Sequence, residues 1–473
     1  MKSSENLLQK LRKGENLSFK EQIQLTILLS IPAILAQISS VFMEYIDASM
    51  VGHLGANESA SIGLVSSTIW LLGGLCSAVA TGFAVQVAHY VGAGRDDEAR
   101  QVARQAIFVV AIISLLVTCT GIIISPHLPH WLGGNPEIWH DATCYFAIFT
   151  LTIPVLQYYF LSSSMLRCSG NIQLPSMLGV LMCVLDVFFN FLFIFPSRAV
   201  TCRFMGIDTE FMIWGAGLGV SGAALGTALS RLVVVVLLFR GAFLRSPHLS
   251  LLKDKGSFLP TADCLSKAFR IGFPVGLERC VMCSAQIMTT TIVAPFGAIA
   301  LSAHSFGITA EGLCYMPGYG IAEAATTLVG QSIGAGRRFL TKRFAQLTIA
   351  VGISIMALMG IVMYYCAPLM MQFMTNEQDI ITLGTEILRI EAFAEPMFAA
   401  SIVSYGIFVG AGNTMIPSCM NLGSIWFIRI SLALLLAPSL GLKGVWIAMC
   451  IELCIRGFIF LLRLRFGHWI KNI

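Results

Sequence analysis

The sequence predicts an all-α integral membrane protein of twelve transmembrane helices, arranged as two six-helix bundles related by a pseudo-twofold axis along the membrane normal. Three observations predict it. Hydrophobic residues make up 56% of the 473-residue chain and charged residues 12%, with a mean hydropathy of +0.80, so there are too few polar side chains to coat a water-soluble globule. Apolar runs long enough to cross a bilayer core of about 30 Å, which takes roughly 20 helical residues, follow one another along the chain. The landmarks of the first half return in the second at a fixed offset.

Taken in order, the runs lie near 24–47, 60–88, 106–126, 142–165, 174–196 and 213–239, then near 268–291, 303–330, 345–367, 384–408, 416–437 and 442–463. Each is continuous, where barrel strands would alternate over about ten residues. The first run is too long for a signal-peptide core and is followed by no small-residue cleavage pattern, so it is expected to stay as a helix. Basic residues gather before it (Lys2, Lys10, Arg12, Lys13, Lys20), after the second run (Arg95, Arg100, Arg104), after the sixth (Arg240, Arg245, Lys253, Lys255, Lys267, Arg270), after the eighth (Arg337, Arg338, Lys342, Arg343) and at the end (Arg463, Arg465, Lys471). The opposite loops hold only Arg198, Arg203 and Lys443. The positive-inside rule then places both termini in the cytoplasm, which requires an even number of crossings. The 14 cysteines have the spacing of neither a metal site nor a disulfide framework and read as small hydrophobes.

Shifting the sequence by 242 residues lays Pro32 on Pro274, Gly55 on Gly297, Pro154 on Pro396, and Gly170-Asn171 on Gly412-Asn413. Val91-Gly92-Ala93-Gly94-Arg95 falls on Ile333-Gly334-Ala335-Gly336-Arg337. Later, Gly219 and Gly222 match Gly441 and Gly444 at a shift of 222, so the first half carries about twenty extra residues in the outer loop from Pro196 to Trp214. The expected organisation is an N-terminal lobe over 1–239, a cytoplasmic linker over 240–267 and a C-terminal lobe over 268–473. Six crossings per half give both halves the same orientation, and transporters on this plan hold their substrate between the halves.

An ionisable side chain in a membrane helix costs at least about 2.5 to 3.5 kcal/mol on insertion scales, so each one asks for a partner or a purpose. Asp47 ends the first run, fifteen residues after Pro32; Asp186 and Asn190 lie four apart, on one face of the fifth; Glu278 follows Pro274 by four residues in the seventh. Pro32 and Pro274 are expected to kink their helices. In the repeat frame Asp47 maps to Thr289, Asp186 to Ile428 and Glu278 back to Ala36, so these acids break the symmetry that glycine and proline keep. A carboxyl in apolar surroundings holds its proton and a nearby cation displaces it, so such a site can exchange one for the other. Asp47, Asp186, Asn190 and the hydroxyl of Thr227 are the expected cluster, and oxygen ligands of this kind suit a proton or a hard monovalent cation such as Na+. Glu278, Glu44 and Glu311 are candidates for lining a substrate cavity. Glu323, Glu391 and Glu395 could join them or be neutralised by Arg389, Arg429 and Arg456. The glycine-rich loops follow no strand and lack the Lys and Ser/Thr of a phosphate cradle, so neither nucleotide nor nucleic acid is expected.

Asp47-Ala48-Ser49-Met50-Val51-Gly52-His53-Leu54-Gly55, together with Val91–Arg95, Val329–Gly336 and Gly410-Ala411-Gly412-Asn413-Thr414, resembles the motifs of the multidrug and toxic compound extrusion family over nearly the whole chain. The resemblance implies a secondary active antiporter, not an enzyme, with no cofactor. It would export organic cations, drugs or toxic metabolites in exchange for inward H+ or Na+ by alternating access. It further implies a lipid-embedded protein of the plasma membrane, most simply a bacterial inner membrane, working as a monomer. The alternative is a flippase for lipid-linked oligosaccharides of the same superfamily. In members with an N-terminal cation site, a first-helix Asp, matching Asp47, joins an Asn and an Asp on the fifth helix and a Thr matching Thr227 on the sixth. Here the fifth-helix pair is reversed, as Asp186 and Asn190. Members with a C-terminal site carry acids where this chain has Met282 and Ala400, so the resemblance points to the N-terminal lobe.

Overall fold

The computed structural model describes residues 2–204, 207–467 and 469–470; Lys471 and the side chains of Arg198 and Arg203 fall outside what it describes. A short helix α1 (Lys2–Arg12) precedes the first bundle, whose helices are α2 (Phe19–Gly52), α3 (Ala56–Gly92), α4 (Asp96–Ile124), a single turn α5 (Leu128–Trp131), α6 (Trp139–Leu151), α7 (Ile153–Cys168), α8 (Gln173–Ile194) and α9 (Gly219–Phe239). The second bundle holds α10 (Ala262–Val293), α11 (Ala298–Gly334), α12 (Arg338–Gln372), α13 (Gln378–Glu391), α14 (Glu395–Gly410), α15 (Met415–Gly423), α16 (Ser431–Leu440) and α17 (Leu442–Phe466). Among the described residues, eight helices are long and apolar enough to cross a membrane, and the bent pairs α6–α7 and α13–α14 raise the number to ten. The less apolar α10 and α11, 32 and 37 residues long, complete the twelve segments read from the sequence. Large apolar side chains face outward, with Ile123 and Leu435 each 72% exposed, while many polar and charged ones are buried. That inversion is what lipid requires.

The outer loop of the first half is not irregular chain. Its backbone pairs as an antiparallel hairpin, β1 (Pro196–Phe204) with β2 (Ile207–Ala216), in a register running from Pro196 opposite Ala216 to Phe204 opposite Ile207. A loop that long would otherwise leave its amides and carbonyls to solvent alone, and pairing satisfies them within the chain. Pro32 and Pro274 lie inside helices that continue on both sides of them. Two helix pairs are broken and bent, by 46° between α6 and α7 and by 59° between α13 and α14, each just before the prolines Pro154 and Pro396. A proline cannot accept the helical geometry of its predecessor and donates no amide, so each pair breaks at its N-terminal side.

The two bundles meet through α2 against α11 and α3 against α10. Their contacts come in exchanged pairs. A side chain on Gly92 would overlap the Gln331 carbonyl, and one on Gly334 would overlap the carbonyl of His89; Gly334 is Gly92 shifted by 242, and Gln331 is His89 so shifted. His89 Nε2 lies 2.8 Å from the Gly410 carbonyl, and Gln331 Nε2 donates to the Cys168 carbonyl at 2.8 Å, again the same contact with the halves exchanged. Only residues without a Cβ allow backbones this near each other, as small residues do generally at membrane helix interfaces. Thr327 donates to the Arg167 carbonyl at 3.2 Å, and an Arg167–Glu323 ion pair, with Gln37 donating to Glu323 at 3.1 Å, also spans the halves.

At this end of the molecule α1 lies across both bundles. Leu7, Leu8 and Leu11 are buried with Leu25 and Leu29 of α2, Ile172, and Leu328, Leu340 and Phe344 of the second bundle. Burying each leucine contributes about 1.5–3 kcal/mol. Arg12 donates to the Ser169 carbonyl at 2.9 Å and to Gln331 Oε1 at 3.1 Å, and its Nη1 is 2.6 Å from His248 Nε2. The chain between the bundles is also held: Asp254 pairs with Arg100, at 2.7 Å, and with Arg104. Those two guanidinium groups keep the Asp254 carboxyl below the usual carboxylate range.

Candidate functional site

The α8 sequence places Asp186 and Asn190 one turn apart, facing α2 and α9. Both are fully buried. Helix α9 approaches α8 closely because Gly222 lies on the Phe193 carbonyl and Gly226 on the Asn190 side chain, where any Cβ would overlap. The amide of Asn190 then bridges two acids: Nδ2 donates to Asp47 Oδ1 at 2.8 Å and to Asp186 Oδ2 at 3.1 Å. The single hydroxyl proton of Ser230 is shared between the other oxygen of Asp186, at 3.1 Å, and the Thr227 carbonyl, at 2.9 Å. Asn190 Oδ1 is buried with no hydrogen-bond partner. Asp47 and Asp186 thus share one amide donor, near enough for their charges to act on each other. Asp186 is fully buried and Asp47 half-buried, and two carboxylates that share one donor repel each other unless a proton or a cation joins them.

Of the residues singled out in the sequence, Asp47, Asp186 and Asn190 come together, while Thr227 joins through its backbone carbonyl and Ser230 provides the hydroxyl that reaches Asp186. Ser230 went unnoticed because a serine inside a helix usually bonds its own preceding turn. The repeat offered a signal, since at the shift of 222 Ser230 stands opposite Glu452, a buried acid of the second half. Arg231 was missed as well; it is near enough to Glu44 for their charges to interact. Glu44 is exposed one turn before Asp47, and next to it Tyr45 donates across the bundles to the Thr309 carbonyl at 2.9 Å.

Glu278 stands apart from this cluster: Asn421 donates to it at 2.5 Å, and its second oxygen is buried without a partner. Glu311 is buried at 6% exposure, within electrostatic reach of Arg429 and Arg456. Glu323 does not pair with Arg389, Arg429 or Arg456 but with Arg167 of the other bundle. Among the described residues, no group of three His, Cys, Asp or Glu has the geometry to hold a metal ion.

The MatE family model matches residues 32–192 and again 274–435, two segments that begin 242 residues apart (274 − 32) and together span most of the chain. The chain belongs to the MatE family. It is therefore a membrane transporter and not an enzyme. It is 25% identical over 446 residues to the probable multidrug resistance protein NorM of Thermotoga maritima, covering 94% of this chain and 92% of that one. It is 26% identical over 462 residues to the protein of the same description in Xanthomonas axonopodis pv. citri, covering 94% of each. Solved structures share the fold. A Vibrio cholerae MATE transporter matches with a TM-score of 0.85 at 17% identity over 100% of this chain and 99% of its own, and a multidrug MATE transporter described as outward-facing matches with 0.85 at 20% identity over 97% of this chain.

Proposed function

We propose that this MatE transporter is an antiporter that exports organic cations, drugs or toxic metabolites in exchange for inward H+ or Na+ by alternating access. The lobes are residues 1–239 and 268–473, joined by a linker over 240–267. The observation that carries the reading is the Asn190 amide held between Asp47 and Asp186. A proton or small cation arriving there relieves the repulsion of the two acids, and its departure restores it. Asp47, Asp186 and Asn190, with Ser230 and the Thr227 carbonyl, are the exchanging set. The relatives named as multidrug resistance proteins support a drug-like substrate class. Both termini face the cytoplasm of a bacterial inner membrane, as the distribution of basic residues supports, and the working unit is the monomer.

The test is ethidium export from vesicles containing the purified protein, with a pH jump and a sodium jump applied separately. The effective jump names the coupling ion. Asp47→Asn removes a charge-assisted contact of about 1.5–3 kcal/mol, so gradient-driven export should fall at least roughly tenfold with unchanged protein level. Wild-type export by this variant would place the exchange elsewhere.

A further inference from the structure

We propose that the cavity enclosed by α1, the start of α8 and the end of α9 binds the phosphate headgroup of an anionic phospholipid. The cavity measures about 420 Å³ and lies at the α1 end of the first bundle. Three guanidinium groups line it, that of Arg12 on α1 and those of Arg240 and Arg245, which follow α9. Over Arg240–Arg245 the chain turns more widely than an α-helix, with hydrogen bonds joining residues five apart, so the two arginines come round to one face. Gly241 lets this turn settle against Leu174, whose side chain any Cβ there would overlap. At the shift of 222, Arg240 maps to Leu462 and Arg245 to Gly467, so the pair is particular to the first half.

The protein does not cancel this positive charge itself. Arg12 reaches only neutral groups, the Ser169 carbonyl, Gln331 Oε1 and His248 Nε2, and among the described residues no carboxylate pairs with Arg240 or Arg245. Glu5 of α1 is the one carboxylate on the wall, so three guanidiniums less one acid leave a formal +2 (3 − 1). Asp96 stands behind His248, 3.0 Å from its Nδ1. The Leu174 amide occupies Asn171 Oδ1 at 3.2 Å, so the Asn171 side chain offers its NH2 as a further donor. A guanidinium is a planar fork that fits two oxygens of a phosphate at once, and three such forks with an amide suit a group bearing several oxygens. The opposite wall is apolar: Leu174 and Leu178, one turn apart on α8, and Leu237 of α9. Helix α8 leads from the cavity into the bilayer and α9 returns to it, so the exposed side chains of Leu181 and Val233 continue that wall towards the membrane middle. A soluble phosphate gains nothing from such a track, whereas an acyl chain covers it while its headgroup stays with the arginines. Arginines at helix ends commonly reach for water and headgroups in general; a cavity that joins them to a leucine track holds one lipid in place. In the orientation proposed above, the cavity opens to the anionic cytoplasmic leaflet.

Native mass spectrometry of the purified full chain, released from vesicles of equal phosphatidylcholine and phosphatidylglycerol, tests this. The wild type should retain phosphatidylglycerol in preference. An arginine beside anionic headgroups is worth about fivefold in binding, so Arg240→Gln combined with Arg245→Gln should lower retention roughly twenty-five fold. Leu237→Trp fills the cavity at unchanged charge and should also expel the lipid, which a general attraction to the basic surface would not do. Lys342→Gln combined with Arg343→Gln takes the same charge from exposed positions of the second bundle and should leave retention as it was. Phosphatidylglycerol, but not inorganic phosphate, should raise the melting temperature of the wild type. Equal retention of the two lipids by the wild type, or full retention by Leu237→Trp, overturns the proposal. So does a rise in melting temperature with inorganic phosphate that equals the rise with lipid, which gives the cavity to a soluble phosphate. Should the arginine variant fail to fold, Leu237→Trp decides alone. None of these measurements reads export, so they stand or fall apart from the coupling site.

Discussion

Ser230 shows how little chemistry separates a packing serine from a site residue. Its hydroxyl fixes one oxygen of Asp186 while the Asn190 amide fixes the other, so both lone-pair directions of a fully buried acid are set by neighbours. Ser230→Ala should weaken binding of the coupling ion by about 1.5 kcal/mol, roughly tenfold, and leave the melting temperature near wild type. Titration of export against proton or sodium concentration reads this directly; an unchanged midpoint removes Ser230 from the site. Gly226→Ala acts on the same acid from behind, because the added methyl overlaps Asn190 Oδ1. Overpacking of this kind costs about 1–3 kcal/mol, and here it should appear both as a lower melting temperature and as weaker ion binding.

At the scale of elements, α1 is a strap whose hold depends on pH. The Arg12 guanidinium can only donate, so His248 Nε2 accepts from it, and the proton of the imidazole sits on Nδ1, 3.0 Å from Asp96. Burial and the Arg12 charge lower the His248 pKa below its usual range, and Asp96 opposes them. Burial also lowers the Arg12 guanidinium to about 10, which leaves it charged at neutral pH. Because the bound form of the strap prefers neutral His248, its contribution is present above the ordinary histidine value of about 6.5 and is lost as pH falls through the lowered one. Hydrogen exchange of α1 should therefore quicken on acidification in the wild type, and His248→Gln should abolish that dependence. Leu8→Ala removes buried contacts worth about 2–5 kcal/mol and should free α1 at every pH, seen as trypsin cleavage near Lys10 and Lys13. No part of this was readable beforehand, since Lys2–Arg12 is too short and too polar to register as anything but a charged leader. The same holds for the hairpin over Pro196–Ala216, which shows no alternation of apolar and polar residues strong enough to announce strands.

For the whole molecule, the repeat was legible because glycine and proline answer to backbone geometry, which both halves must share. The twelve segments were legible because lipid admits little else. What remained hidden was where a long apolar run breaks: 384–408 reads as one helix, yet it divides after Glu391, with only Pro396 as a hint. Meeting of the bundles at the α1 end rests on a few glycines, so a side chain there should hold that end open. Gly334→Val is expected to abolish export while leaving membrane levels unchanged. Cys168, 5% exposed beside the contact with Gln331, should then become reactive to a maleimide applied from the linker side. Unaltered labelling would show that the bundles close by another route.

The swapped contacts of His89 with Gly410 and of Gln331 with Cys168 have the form that a dimer of identical chains gives its interface, every touch occurring twice. A polypeptide of half this length, meeting a copy of itself, could have made the same closure before any fusion joined the two. The acids that now differ between the halves are then later specialisations, laid over an enclosure that never needed them to shut.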